Sequence, residues 1–246
     1  MRPYAFGSVL LATLLLVAIA FADPHSFEVR TDEFDPGKSF LVQGAWLSGI
    51  GCPTDAMIAL PNATFTDVDG HAPFTDPACP TGDPEDRRVE GLLLVKTGPT
   101  TNFASAGAKI DGVRGQPLTE LGWDIRKPES AADPRGSHCG VGAPRWNIET
   151  KDGDFFFLGC SSPPAPVQES NGSPGWLRMR WGGSVPLQAF NASTGALEDI
   201  TGRQIKSLSI VFDEGQDVGP DNFGAAILDN IDVNGALVGK GATDAD

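Results

Sequence analysis

The chain predicts an all-β fold, an antiparallel β-sandwich of about eight or more strands. Its apolar residues repeat with period two almost wherever they repeat at all, which is the spacing of a half-buried strand. Gly (30) and Pro (20) break up the 246 residues so often that long helices, coiled coils and helical repeats are ruled out. Hydrophobic residues still make up 40%, enough for a packed core and too many for wholesale disorder. With 18 Lys+Arg against 32 Asp+Glu, the net charge of −14 repels phosphate backbones and argues against a nucleic-acid partner.

Residues 1–22 read as a signal peptide: Arg2, then an apolar run from Val9, then Ala20-Phe21-Ala22 before Asp23. The run is about 13 residues, against the roughly 20 a membrane span needs, and the polar tail GKGATDAD lacks a lipid-anchor signal. The sequence therefore predicts export without membrane insertion, and residues 23–246 as one sandwich domain. In an oxidising compartment the even set Cys52, Cys79, Cys139 and Cys160 reads as two disulfides. Three pairings are possible. Cys52–Cys79 and Cys139–Cys160 are favoured because each closes a loop rich in Pro and Gly. The first would staple the long Pro-rich loop at 53–90. A zinc site is the weaker reading, since His138 adjoins Cys139 but no C-x-x-C or H-x-x-x-H spacing is present.

Seven segments carry the strand pattern. Ser39–Trp46 places Phe40, Val42 and Trp46 on one face. Gly91–Thr97 is a continuous apolar run, the pattern of a strand covered on both sides. Leu118–Arg126 alternates Leu121, Trp123 and Ile125 against Glu120, Asp124 and Arg126. In Arg145–Cys160, Asp152-Gly153 reads as a two-residue turn, pairing Thr150 with Phe155, Ile148 with Phe157 and Trp146 with Gly159. Trp176–Trp181 alternates Leu177, Met179 and Trp181 against Trp176, Arg178 and Arg180. Lys206–Phe212 sets Leu208, Ile210 and Phe212 on one side. Ala225–Val233 sets Ile227, Asp229, Ile231 and Val233 together.

No catalytic motif stands out. Asn171–Gly175 falls one Gly short of a nucleophile elbow, and H-E-x-x-H and Gly-rich phosphate loops are absent. A glycosidase needs only two carboxylates at the right separation; Glu120 and Asp124 would be that pair, although a solvated strand face explains them as well. The acidic run Asp213–Asn222 reads as a solvated loop before it reads as a chelator. Among the aromatics, Trp46, Trp123, Trp146 and Trp181 fall on apolar faces. Trp176 falls opposite, beside Arg178 and Arg180, where an exposed indole could stack a sugar ring while the guanidinium groups grip hydroxyls. The alternative is a Trp covered by the Ser161–Gly175 loop.

The closing segment Lys206–Gly235, with Leu228-Asp229-Asn230-Ile231 in its last apolar strand, resembles the end of jelly-roll binding modules. These are the galactose-binding-like domains and carbohydrate-binding modules of secreted bacterial proteins. The stretch Ser137–Arg145 (SHCG-x-GAPR) is also similar to secreted bacterial proteins of no assigned activity. The first resemblance implies a jelly-roll-like sandwich that binds carbohydrate without catalysis. It also implies a structural calcium held by an Asp of the last strand, here Asp229, and an acidic residue near the first, here Glu28 before Glu33 or Asp35. If Asp229 instead lies on a bulge, solvent or backbone N–H groups would satisfy it. A structural extracellular protein with protein partners is the second reading, and a secreted glycoside hydrolase the third.

Overall fold

The computed structural model describes residues 27–53, 79, 81–97, 104–127, 144–159, 162, 176–213 and 223–242. The expected signal peptide at 1–22, Cys139, Cys160, the His138 segment, most of the 53–90 loop and residues 214–222 lie outside them. Among the described residues, thirteen strands run in chain order: β1 (Glu28–Phe34), β2 (Val42–Ser48), β3 (Glu90–Thr97), β4 (Ser105–Asp111), β5 (Glu120–Arg126), β6 (Arg145–Thr150), β7 (Phe155–Gly159), β8 (Leu177–Gly182), β9 (Gln188–Asn191), β10 (Leu197–Asp199), β11 (Ile205–Phe212), β12 (Phe223–Val233) and β13 (Ala236–Val238). They form two antiparallel sheets, one ordered β1-β4-β11-β6-β7-β9-β10 and the other β2-β3-β12-β5-β8, with β13 on β12. The fold is an antiparallel β-sandwich of jelly-roll type, and consecutive strands repeatedly cross from one sheet to the other.

The core is where period-two alternation from both sheets meets. Leu121, Trp123 and Ile125 of β5, Leu177, Met179 and Trp181 of β8, and Leu208, Ile210 and Phe212 of β11 are all buried in one cluster, as the alternation predicts. Trp123 stacks on Trp146 from the facing sheet at 5.3 Å and meets Trp181 edge-on at 5.1 Å. The three indole N–H groups find no hydrogen-bond partner among the described residues. Ring faces, which are weak acceptors, are what their neighbours offer instead.

Two registers differ from the sequence expectation, each because of one residue at positive φ. In the β6–β7 hairpin, Thr150 N–H donates to Asp154 O and Gly153 N–H to Thr150 O, with Gly153 at φ 98°. The loop therefore has three residues, a turn closed by a left-handed glycine, and not two. Pairing moves by one: Glu149 faces Phe155, Ile148 faces Phe156 and Trp146 faces Leu158. A one-residue slip exchanges the faces of a strand. Phe156 and Leu158 enter the core, while Phe155 and Phe157 turn outward.

In β12, the register against β5 breaks between Asp229 and Asp232, where Asn230 sits at φ 45°. Asn tolerates this conformation better than most residues. The bulge puts Leu228, Ile231 and Val233 in the core and leaves Ile227 and Asp229 on the sheet's outer face. Phe40, expected beside Val42 and Trp46, precedes β2 and is 82% exposed.

The hairpin register makes a measurable difference. Phe156→Ala should cost about 3–5 kcal/mol in urea unfolding, the range for a buried aromatic. Phe157→Ala, on the outer face, should cost about 1 kcal/mol or less. Losses in the reverse order, larger at Phe157 than at Phe156, would mean that the hairpin is paired in the other register.

Candidate functional site

Two outer faces could carry function, and they are built differently. On the six-stranded sheet, β8, β5 and β12 lie side by side, so their outward residues form rows. Arg178 faces Asp124, which faces Asp229; two positions along, Arg180 faces Gly122, which faces Asp232. Arg178 donates Nε to Asp124 Oδ1 and Nη2 to Asp124 Oδ2, both at 2.8 Å. Arg180 lies across Gly122 to reach Asp232 at 2.8 Å. A Cβ at Gly122 would stand 2.4 Å from Arg180 Cδ, so only glycine leaves that path open.

Where β8, β5 and β12 meet, this face is covered. The Cys52–Cys79 disulfide lies over it, packed with Trp176 and Ile227. Cys52 N–H donates to Asp229 Oδ2 at 2.5 Å, and Asn230 N–H to Asp229 Oδ1 at 2.5 Å. Asn230 in turn donates to Asp124 and accepts from Asp83 N–H. Thr81 accepts from Arg178 through both its hydroxyl and its carbonyl. Asp83 Oδ2 accepts from Gly239 N–H at 3.0 Å.

The site residues named from the sequence are thus brought together, but beneath a cover. Trp176 is 3% exposed; it packs on the disulfide and offers no open stacking surface. Arg178 and Arg180 lie on its side of the sheet as expected, yet their guanidinium groups are committed to Asp124 and Asp232. Asp124, read as half of a solvated carboxylate pair, is fully buried. Alternation shows which side of a strand a residue takes, and not what lies on top of it.

Calcium does not fit Asp229 and Glu28. Both Asp229 oxygens accept backbone N–H groups, as the bulge alternative anticipated. Glu28 is exposed on the edge strand of the other sheet, paired with Arg30 at 2.5 Å. Glu33 accepts from Gly44 N–H, and Asp35 from Ser39 Oγ and Phe40 N–H. Asp124 does approach the sulfurs of Cys52 and Cys79, but a disulfide supplies no thiolate to bind a metal.

Burial controls the titration of this layer. It raises the Asp229 carboxyl well above its ordinary value, overcoming the N–H bonds from Cys52 and Asn230, and the Asp124 and Asp86 charges add to the rise. Burial likewise raises Asp86 to about 6, against hydrogen bonds from Arg88 and Glu90. Asp232 also rises to about 6 through burial, opposed by Arg180. On Arg180, burial lowers the pKa while Asp124 and Asp232 oppose that.

Among the described residues, the outer face of the seven-stranded sheet has no such inner charge layer. One row crosses it in register: Arg30, Lys109, Ser209, Asn147, Phe157, Phe190 and Leu197. Phe155 meets Phe157 edge-on at 5.3 Å, and Arg145 stacks on Phe157 at 5.4 Å while bonding to Asp213 at 2.8 Å. Asp213 is therefore a buried ion-pair partner and not part of a solvated run. Phe190 is 37% exposed, and Phe155 and Phe157 are half-buried. The result is an aromatic area bordered by Asn147, Gln188 and Ser209. The sequence reading missed these rings, although Phe155-Phe156-Phe157 held the signal: three successive strand residues cannot all face inward.

No family model and no curated protein matches the chain. Among solved structures it is similar to the family 11 carbohydrate-binding module of the cellulosomal cellulase Lic26A-Cel5E of Clostridium thermocellum. The identity is 10% and the TM-score 0.36, covering 86% of this chain and 89% of that one. The family 11 module in complex with a β-1,3-1,4-mixed-linked tetrasaccharide gives 12%, a TM-score of 0.35, and coverage of 86% and 90%. The enzymatically active domain of bacteriophage CBA120 tailspike protein 4 gives 8% and 0.32, over 88% of this chain and 20% of that one. At this degree of likeness no residue or ligand is carried over.

Two outcomes follow from the sealed layer. Asp124→Ala leaves two buried guanidinium groups without their shared partner and should cost about 3–5 kcal/mol in urea unfolding; a loss under about 1 kcal/mol would mean that the layer is open to water. The raised carboxyls Asp86 and Asp232 hold more protons folded than unfolded between their ordinary value near 3.8 and about 6. Stability should therefore fall as pH rises through that window and level off above it. Thermal unfolding followed by circular dichroism should give a higher Tm at pH 4.5 than at pH 7.5, with Asp86→Asn narrowing the gap. A Tm that climbs steadily to neutrality would contradict this.

Proposed function

We propose that this chain is a secreted, non-catalytic carbohydrate-binding module that holds a neutral polysaccharide on the outer face of its seven-stranded sheet. The observation that carries the reading is the in-register row Ser209, Asn147, Phe157, Phe190 and Leu197. It sets polar groups and ring faces side by side on a rigid surface. A pyranose ring presents C–H groups on its faces and hydroxyls around its edge, so the rings take the face while Asn147, Gln188 and Ser209 meet hydroxyls. Asn147 Oδ1 accepts from Arg145 Nε at 3.1 Å, which orients the amide and leaves its N–H groups for a ligand.

Neutral glycans suit the net charge of −14, which repels polyanions. Burying about 50 Å² of each ring contributes roughly 1 kcal/mol per Phe. Three rings with a few solvent-competed hydrogen bonds give a Kd of about 0.01–1 mM. Export is supported by the leader pattern at 1–22 and by the Cys52–Cys79 disulfide. A non-catalytic role is supported by the burial of Asp124, one of the two carboxylates that the sequence offers as a catalytic pair.

The test is retardation of the exported chain in gels containing mixed-linked β-glucan, xylan, mannan or soluble cellulose derivatives. Retardation by one polymer is expected, and Phe157→Ala/Phe190→Ala should weaken it at least tenfold with little change in stability. Migration unaffected by every polymer would sink the carbohydrate reading. Retardation unchanged by the double substitution would move the site off this face.

A further inference from the structure

At the far edge of the sandwich, β1 and β2 are the outermost strands of their two sheets. An open groove of about 440 Å³ lies between them, lined by Glu33, Asp35, Lys38, Phe40, Val42, Gln43, Gly44 and Ala45. That size falls within the range of small-ligand sites. Phe40 stands 82% exposed at this groove, with its backbone at φ 59°. Lys38, two residues earlier, is at φ 51°.

A bulky residue at positive φ is uncommon, and one whose ring also faces water gains nothing from packing for the strain. Asp35 holds the arrangement with both carboxylate oxygens: Oδ1 accepts from Ser39 Oγ at 3.0 Å and Oδ2 from Phe40 N–H at 2.7 Å. The bonds from Ser39 and Phe40 keep the Asp35 carboxyl below its ordinary value, so it stays ionised and keeps accepting. The fold thus fixes an exposed aromatic ring above a groove.

The groove walls narrow down what fits. Gly44 N–H, on the open side of β2, already donates to Glu33 Oε1 at 2.9 Å, so an incoming β-strand would lose that donor to a side chain. Meanwhile Lys38 and Gln43 make no side-chain hydrogen bond or ion pair among the described residues. One ring, one amide, one ammonium and a carboxylate edge converge on a space of small-ligand size. Two carboxylates against one ammonium disfavour an anion.

We propose that this groove is a second carbohydrate site, separate from the broad face, which takes a single sugar ring or the end of a neutral glycan chain. Phe40 stacks on the ring, and Gln43, Lys38 and Glu33 bond its hydroxyls. The proposal rests on the carbohydrate reading for its ligand class, but on different residues for its binding.

The test is amide chemical-shift mapping of the exported chain with mixed-linked β-glucan tetrasaccharide, cellotetraose, xylotetraose and mannotetraose. Phe157→Ala/Phe190→Ala serves as the background in which the broad face is disabled. There, at least one tetrasaccharide should still shift the amides of residues 40–45. Adding Phe40→Ala or Gln43→Ala should weaken that response at least tenfold, while the dispersed spectrum shows the fold retained. Shifts on β6, β7 and β9 alone in the unsubstituted chain would overturn the groove and leave the broad face standing. Shifts at 40–45 alone would support the groove and overturn the broad face. Silence at both would overturn both, and shifts at 40–45 that survive Phe40→Ala and Gln43→Ala would overturn the stacking assignment.

Discussion

Asp124 accepts from Arg178 at two oxygens and lies 3.6 Å from Arg180, in a layer from which water is almost excluded. A buried carboxylate alone would be costly, and so would either guanidinium. Together with Asp232 they set two acids, Asp124 and Asp232, against the two bases Arg178 and Arg180. The arrangement ties β8, β5 and β12 together through side chains as well as backbone. It also dictates local sequence: Gly122 must lack a side chain so that Arg180 can cross it, and Asn230 must take positive φ so that Asp229 and Asp232 both stay on the outer side.

The cover over that layer has a functional consequence. Cys52, Cys79 and Trp176 form a small apolar cluster above the charges, and the disulfide that holds it closes a separation of 27 residues. A crosslink of this span stabilises by about 3–4 kcal/mol in the chain-entropy model, and Cys52 N–H and Thr81 also bond to the layer beneath. With this part of the six-stranded sheet's outer face covered, the exposed and half-buried aromatic rings lie on the opposite sheet and at the sandwich edge. The aromatic residues follow that division. Three Trp sit in the central core and Trp176 sits under the disulfide, whereas Phe155, Phe157, Phe190 and Phe40 face outward or half-outward.

Much of the fold could be read directly. Period-two alternation placed the core residues of β5, β8 and β11 correctly, because solvent on one side and apolar neighbours on the other select side chains residue by residue. It also put Arg178, Arg180 and Asp124 on one face. It failed at Phe40, where a left-handed backbone interrupts the alternation before β2 begins. It failed again along β7, where a third loop residue exchanged the inward and outward Phe. In both cases the deciding feature is a positive φ, at Phe40 itself or at Gly153, and a dihedral angle does not change the composition of the strand that follows it.

Local pattern, then, was sufficient for the sandwich class and favoured the Cys52–Cys79 pairing, since strand alternation and a closable Pro-rich loop are both read from residues near one another along the chain. The location of the exposed aromatic surfaces depended on tertiary structure. Whether Trp176 is open or covered is settled by Cys52 and Cys79, about a hundred residues away in sequence. That Asp229 accepts N–H donors depends on Cys52 and on the bulge at Asn230. The row from Ser209 to Leu197 exists only because five strands, separated by loops of different length, meet in register. Side-chain alternation repeats every two residues and is written locally, whereas register and cover are relations between distant segments that only the packed sheets bring into contact.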